Sequence, residues 1–364
     1  MESLVRAAPR NPGEVLGCLG LLALAERSGI RATGHFGGEI FHLRAEADLL
    51  PVLHGLQAAA IRPWRINVEK GSPLDPVVLA WPDGEILLDW WYSWTRKKKT
   101  PLKMWAGNQS SFGMIQHLLY AVAMSQPPAS LEGIFTQKFY SITSHEAVLA
   151  KKNSRENVAK QQARRAAALA AREQKIAENA ERIKAGKKPL KVPDLPLEVQ
   201  PVLPTFDGAH VIVERAAFFS ESQVSSMTGD LQRRGHLGLD ARLSWDASSL
   251  GYSLNDTDER LVTYPWVELL AAIGAQTLNE IPRECANSGH IDYTVWTSSL
   301  PLTLARLAYL GEQWLGQGET IRYRSLKRLN ARYGSLRWAH RITAATDSLT
   351  APEDTDEEDA EIAD

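Results

Sequence analysis

Cysteine is nearly absent: the 364 residues contain two, Cys18 and Cys285. Two isolated thiols make neither a disulfide framework nor a zinc site, and they suit a reducing cytoplasmic setting. Long apolar runs are missing as well. No stretch reaches the roughly 18 residues that a membrane span requires, so no membrane partner is expected. The longest apolar stretch near the start, Val15–Ala25, follows Asn11-Pro12-Gly13 and lacks a small-residue cleavage site. It reads as a buried helix and not as a signal peptide. Signatures of catalysis are also lacking. No GxxxxGK[ST] loop is present, Gly37-Gly38 has no dinucleotide-binding context, and the nine histidines show neither HExxH nor HxH spacing. His290 with Asp292 comes nearest to a metal-nuclease arrangement, and such a pair on one strand is more often structural. Asp240, Asp246 and Asp256 lie in turn-rich sequence, where Asp side chains bond nearby backbone amides. No cofactor or metal ion is expected, and nothing in the residues supports an enzyme.

What is present is ordinary in amount and uneven in placement. An apolar fraction of 44% with 23% charged residues describes a globular chain able to bury a sizeable core. The net charge of −2 conceals an asymmetry: Asp347–Asp364 holds nine acids and no base, and without these nine the body carries +7. Four stretches follow. Residues 1–143 read as a mixed α/β domain. Residues 144–204 form an Ala/Lys/Arg-rich helical arm followed by a proline-rich linker. Residues 205–345 form an α+β domain with a basic closing element, and 346–364 an acidic tail of disordered composition. The fold class is α+β.

Within the first domain, Asn11 and Pro12 initiate a helix over Glu14–Arg27 that Gly29 ends, with Leu16, Leu19, Leu22 and Leu24 facing a core. Gly17 and Gly20 inside it cost about 1 kcal/mol each against alanine, a cost accepted where a neighbour must come close. Strands follow at Ala32–Phe36 and Ile40–Leu43, then a helix over Asp48–Ile61. A strand pair, Val77–Ala80 and Glu85–Trp90, turns at Pro82-Asp83-Gly84. Phe112–Ser125 is helical, with Met114, Leu118, Leu119 and Val122 as its buried stripe, and Phe135–Ile142 is a strand. The arm, Ser144–Lys188, has a thin apolar seam through Val158, Leu169, Ile176 and Ile183, and Ala185-Gly186 stops it. Further on come short strands at Val211–Val213, a helix over Pro265–Gly274 ended by its glycine, a strand over Tyr293–Thr297 and a helix over Leu302–Leu310.

Two clusters point to nucleic acid. In Asp89–His117, Trp90, Trp91, Tyr92, Trp94 and Trp105 surround Arg96, Lys97, Lys98, Lys99 and Lys103. Four consecutive cations repel one another and are tolerated where a polyanion or water receives them; flat rings beside them can stack on bases. A hairpin with a tryptophan core and a solvated lysine tip is the alternative. The closing element spaces Arg322, Arg324, Lys327, Arg328, Arg332, Arg337 and Arg341 among Tyr323, Tyr333 and Trp338, with no acid between them. The candidate nucleic-acid-binding residues are Trp91, Trp94, Arg96, Lys97, Lys98, Lys99, Lys103, Trp105, Asn108 and Gln109 with those seven cations.

Several separated blocks resemble one family in order. NPGEVLGCLGLLALAERSGIRATGHFGGEIFHL, LLDWW, KMWAGNQSSFGMI, LGYSLND, PWVELLAAIGAQ and YTVWTSSLPLTLARLA are similar to blocks of the large-subunit family of type I-G (earlier I-U) CRISPR Cascade complexes. The resemblance covers roughly Asn11–Ser144 and Phe206–Arg341; the arm and the acidic tail lie outside it. It implies a non-catalytic cytoplasmic subunit of a crRNA-guided ribonucleoprotein complex active in antiviral defense. Its implied partners are crRNA, target double-stranded DNA, the backbone and crRNA-processing subunits, and a helicase-nuclease. In RNA-guided systems base pairing reads the sequence, while protein reads a short adjacent motif and supports the R-loop. The Asn108 and Gln109 amides suit adenine edges or the main chain. Two alternatives stay open: a free-standing single-strand-binding or adaptor protein, and a metal-dependent nuclease.

Overall fold

A computed structural model describes residues 1–64, 75–91, 111–125, 128–140, 152, 154–192, 237–243, 262–279, 290–312, 319–330 and 333–343. They form an α+β structure of helices and small antiparallel sheets. Strand β1 (Glu2–Arg6) leads into helix α1 (Pro12–Arg27) and a hairpin of β2 (Ala32–Gly37) and β3 (Ile40–Ala45). These strands form a sheet in the order β1-β3-β2. Helix α2 (Leu50–Gln57) precedes a second sheet of β4 (Ala60–Pro63), β5 (Val77–Trp81) and β6 (Gly84–Leu88). Helix α3 (Ser111–Met124) is followed by a 3-10 turn at Ile134–Thr136 and the short strand β7 (Phe139–Tyr140), then the arm helix α4 (Arg155–Lys184). Strand β8 (Val262–Thr263) pairs with β7 and leads into helix α5 (Pro265–Asn279). Strand β9 (His290–Trp296), helix α6 (Leu302–Tyr309) and strands β10 (Thr320–Asn330), β11 (Tyr333–Leu336) and β12 (His340–Arg341) complete the order.

The two stretches expected as separate domains share one hydrophobic core, which runs from Val5 through Phe135 to Leu237 and Ala339. Its centre is the crossing of α1 and α5. Helix α1 is buried on every side from Pro12 to Ala25, so its residues need no amphipathic stripe. A Cβ on Gly20 would lie 2.0 Å from the Leu270 carbonyl oxygen, and one on Gly274 would lie 1.9 Å from that of Leu16. Glycine at both positions lets two backbones touch, so Gly20 serves the close approach expected of it. Gly274 does not end its helix as expected; α5 runs on to Asn279, because the glycine is a contact point and not a stop.

A buried polar knot ties the chain's beginning to this helix. Asn11 caps α1, accepting from Gly13 N at 3.1 Å and from Ala241 N at 3.1 Å. Its amide donates to Glu14 Oε1 at 3.1 Å and to Asp240 Oδ1 at 2.8 Å, so all four bonding positions of the side chain are filled. Glu268, fully buried on α5, accepts from the backbone N–H groups of Leu237, Leu239 and Asp240. Arg242 donates to both Asp240 oxygens and to the Phe135 carbonyl, and reaches Glu14 at 3.3 Å. Its guanidinium lies 3.5 Å from the Tyr264 ring centroid. Burial pushes the Glu14 carboxyl up; Arg242 and the hydrogen bonds oppose this without cancelling it. Asp240 also accepts from Arg242 N, the local backbone bond its turn-rich setting predicts.

Other boundaries move for local reasons. The helix expected over Asp48–Ile61 ends at Gln57, and Ala60–Pro63 pairs with β5 instead. Of the strand expected over Phe135–Ile142, the start is a 3-10 turn and Phe139–Tyr140 is strand; residues 141–142 lie outside the described residues. Helix α4 stops as expected: Gly186, at φ +68°, donates to Ile183 O while Lys187 N donates to Arg182 O, a Schellman closure. Leu169, Ile176 and Ile183 of its seam are exposed. The strands at Val211–Val213, Asp246, Asp256, Cys285 and the acidic tail lie outside the described residues.

Candidate nucleic-acid interface

Strand β10 is the long central strand of the last sheet, with β9 on one side and β11 and β12 on the other. Strand alternation sorts its residues. Tyr323 and Ser325 are buried against the core, where Tyr323 stacks on Tyr293 at 5.7 Å and Tyr293 on Tyr309 at 5.5 Å. Arg322, Arg324 and Leu326 therefore share the outer face. The register places Thr294, Asp292 and His290 of β9 opposite them, and His340 of β12 beside Arg324.

The second flank carries an irregularity that shapes this face. Lys327 pairs with Leu336, whereas Tyr323 pairs with Arg341, so the returning strand holds one extra residue between the two registers. Leu336 and Ala339 are both buried, and only Arg337 and Trp338 separate them. This β-bulge turns two consecutive side chains to the outer face opposite Leu326. Ser325, fully buried, pins it: its Oγ donates to Arg337 O at 2.6 Å and accepts from Arg337 N at 3.2 Å, while that N–H also bonds Leu326 O at 3.0 Å. Arg10 holds the same edge, its Nε donating to Ala339 O and its carbonyl accepting from Ala339 N.

The result is an outer face with an apolar centre, Leu326 at 55% and Trp338 at 46% exposure, bordered by Arg322, Arg324, Arg337, His290 and His340. Among the described residues of this face the acid is Asp292. Asp292 accepts from Arg324 Nε at 2.8 Å and Nη2 at 2.9 Å and from Arg322 Nη2 at 2.9 Å. Burial alone would raise its carboxyl, but the Arg324 hydrogen bonds and charge, with His290 and Arg322, outweigh burial and hold it below the usual carboxylate range. His290 lies 3.9 Å from Asp292, a loose neighbour in this cluster. Among the described residues no group of three His, Cys, Asp or Glu side chains converges so as to hold a metal ion. No helix among them is long and apolar enough to cross a membrane.

Of the seventeen residues expected from sequence, this face brings together Arg322, Arg324 and Arg337. Arg341, opposite Tyr323, is exposed at the strand's end. Lys327 and Arg328 lie in β10 by backbone position, and Arg332 is outside the described residues. So are Trp94, Arg96, Lys97, Lys98, Lys99, Lys103, Trp105, Asn108 and Gln109. Trp91 needs correction. It is buried in the core, its ring edge-on to Trp90 at 5.2 Å, and it presents no open face to a base. Gln276 of α5 fixes this start of the tryptophan stretch, accepting from Asp89 N and Trp90 N and donating to Asp89 Oδ1. Tyr323, named with the closing element, is likewise a core residue.

Comparison with protein-family models, curated proteins and solved structures gives no match.

Sequence reasoning missed Asp292 as a counter-charge because it comes from the neighbouring strand, about thirty residues before its partners. It also left Trp338 and His340 out of the site. The alternation of Arg322 and Arg324 with Tyr323 was a usable signal for one polar face; the extra residue at Arg337-Trp338 leaves no mark in the sequence.

Proposed function

We propose that this chain is a non-catalytic, nucleic-acid-binding subunit of a crRNA-guided type I CRISPR surveillance complex. In this role it contacts target DNA beside the guide and helps recruit the helicase-nuclease. The observation that carries the nucleic-acid part is the outer face of the last sheet, where cations surround an exposed tryptophan and leucine. Arginine forks suit phosphate oxygens, and among the described residues three arginines against Asp292 leave the face net positive. The resemblance of the ordered motifs supports the membership in such a complex.

Salt-dependent binding of labelled target DNA tests the reading, with the wild type compared against Arg322→Ala/Arg337→Ala and Lys97→Ala/Lys98→Ala/Lys99→Ala. Each set is expected to weaken binding and to flatten the log–log salt slope by about 0.9 for every duplex phosphate that is no longer neutralised. An unchanged affinity and slope in both variants refutes nucleic-acid binding at these residues. Failure of the chain to co-purify with the crRNA-bearing subunits refutes the assignment to the complex and favours a free-standing binding protein.

A further inference from the structure

Trp338 stands out among the described aromatic side chains of the last sheet. Tyr293, Trp296 and Tyr323 are packed into the core, while Trp338 is 46% exposed and turned outward by the bulge. It shares the outer face with Leu326, and the guanidinium-bearing Arg322, Arg324 and Arg337 lie along the same face. A duplex offers phosphates to such a surface but keeps its base faces stacked on one another. An unpaired strand offers both, phosphates to the cations and a base face to the ring. Resting on the nucleic-acid reading above, we propose that this face binds a single-stranded segment and that Trp338 stacks one of its bases. Asp292 is the positioning residue: it holds Arg324 through two hydrogen bonds and Arg322 through one, fixing both guanidinium groups along the sheet. The ligand class is a single-stranded polynucleotide read without sequence preference, because every base has a stacking face.

The test measures anisotropy of a labelled single strand and of the duplex of the same sequence, at one salt concentration, with the full chain and three variants. Trp338→Ala is expected to lower single-strand affinity about five- to hundredfold, the range for losing one base–aromatic stack. It is expected to leave duplex affinity within twofold, and Trp338→Phe to restore most of the loss. Arg322→Ala is expected to weaken both ligands. As a second measurement, single-strand binding is expected to quench wild-type tryptophan emission by an increment that disappears in Trp338→Phe. If Arg322→Ala weakens binding while Trp338→Ala matches the wild type on both ligands, stacking is overturned and the nucleic-acid reading stands. If Trp338→Ala weakens duplex and single strand equally, single-strand selectivity is overturned. If the wild type binds neither oligonucleotide, the functional reading falls and the inference falls with it.

Discussion

Ser325→Ala separates the shape of the binding face from its charge. The serine hydroxyl is fully buried and donates to Arg337 O at 2.6 Å. It also accepts from Arg337 N at 3.2 Å, but that N–H keeps its bond to Leu326 O at 3.0 Å. Alanine therefore removes the hydroxyl donor to the Arg337 carbonyl and removes no charge. The net contribution of one such hydrogen bond is about 0.5–1.5 kcal/mol, and the small hydroxyl contributes little to packing, so a loss of about 1 kcal/mol is expected in urea denaturation. The functional consequence is larger in kind: the bulge loses its serine pin and is held only by Arg337 N to Leu326 O and by Arg10 at Ala339, so the common orientation of Arg337 and Trp338 is expected to loosen. Single-strand affinity is expected to fall severalfold although every cation remains. A stability change within about 0.3 kcal/mol refutes the bonding argument. A stability loss with unchanged affinity refutes the idea that the bulge presents the ligand-binding side chains.

Gly274→Ala would bring a methyl group to 1.9 Å from Leu16 O, against backbone that cannot swing aside, and overpacking of about 1–3 kcal/mol or more is expected; urea denaturation indistinguishable from the wild type contradicts the close crossing. Arg242→Met leaves Glu14 and Asp240 buried without their cation, an expected loss of about 3–5 kcal/mol near neutral pH. Because the folded state holds Glu14 above its usual value, its preference for the neutral acid favours folding at low pH and is lost as pH rises through that raised value. The Arg242→Met penalty is therefore expected to shrink as pH falls, and a penalty that grows instead shows that the Glu14 argument has the wrong sign. Asp292 has the opposite sign. Its carboxyl is held low, so its contribution is full above the ordinary carboxylate value of about 4 and is lost as pH falls through the lowered one. The stability difference between wild type and Asp292→Asn should be constant near neutrality and close in acid; a difference that widens in acid refutes the pairing.

Local chemistry was readable and tertiary chemistry was not. Asn11-Pro12-Gly13 announces α1 because the cap bond to Gly13 N and the proline in the first turn are set within three residues. The Pro82-Asp83 turn and the Gly186 stop are local in the same sense. Gly274 was misread because a glycine that ends a helix and one that admits a neighbouring backbone look alike until the neighbour is known. Ala60–Pro63 became a strand through pairing with β5, a partner more than ten residues away. At the candidate site, the cations of β10 were legible as a charge pattern. The sorting of Arg322 and Arg324 onto one face, their pairing with Asp292 and the burial of Trp91 depend on contacts across strands and helices.

The bond from Asn11 to Asp240 has a consequence for how the chain reaches its folded state. It joins residues 229 apart, and Glu268 closes the same knot still later in the sequence. Helix α1, buried all round, has no complete set of neighbours until α5 has been synthesised. The N-terminal third must therefore wait, with apolar surface uncovered, through translation of the arm, and slow maturation of the nascent chain is expected from so non-local a closure. The same closure makes the intervening length forgiving. Doubling a flexible loop adds only about 0.6 kcal/mol of closure entropy, so a change in the length of the exposed arm helix α4 is expected to leave the crossing of α1 and α5 in place.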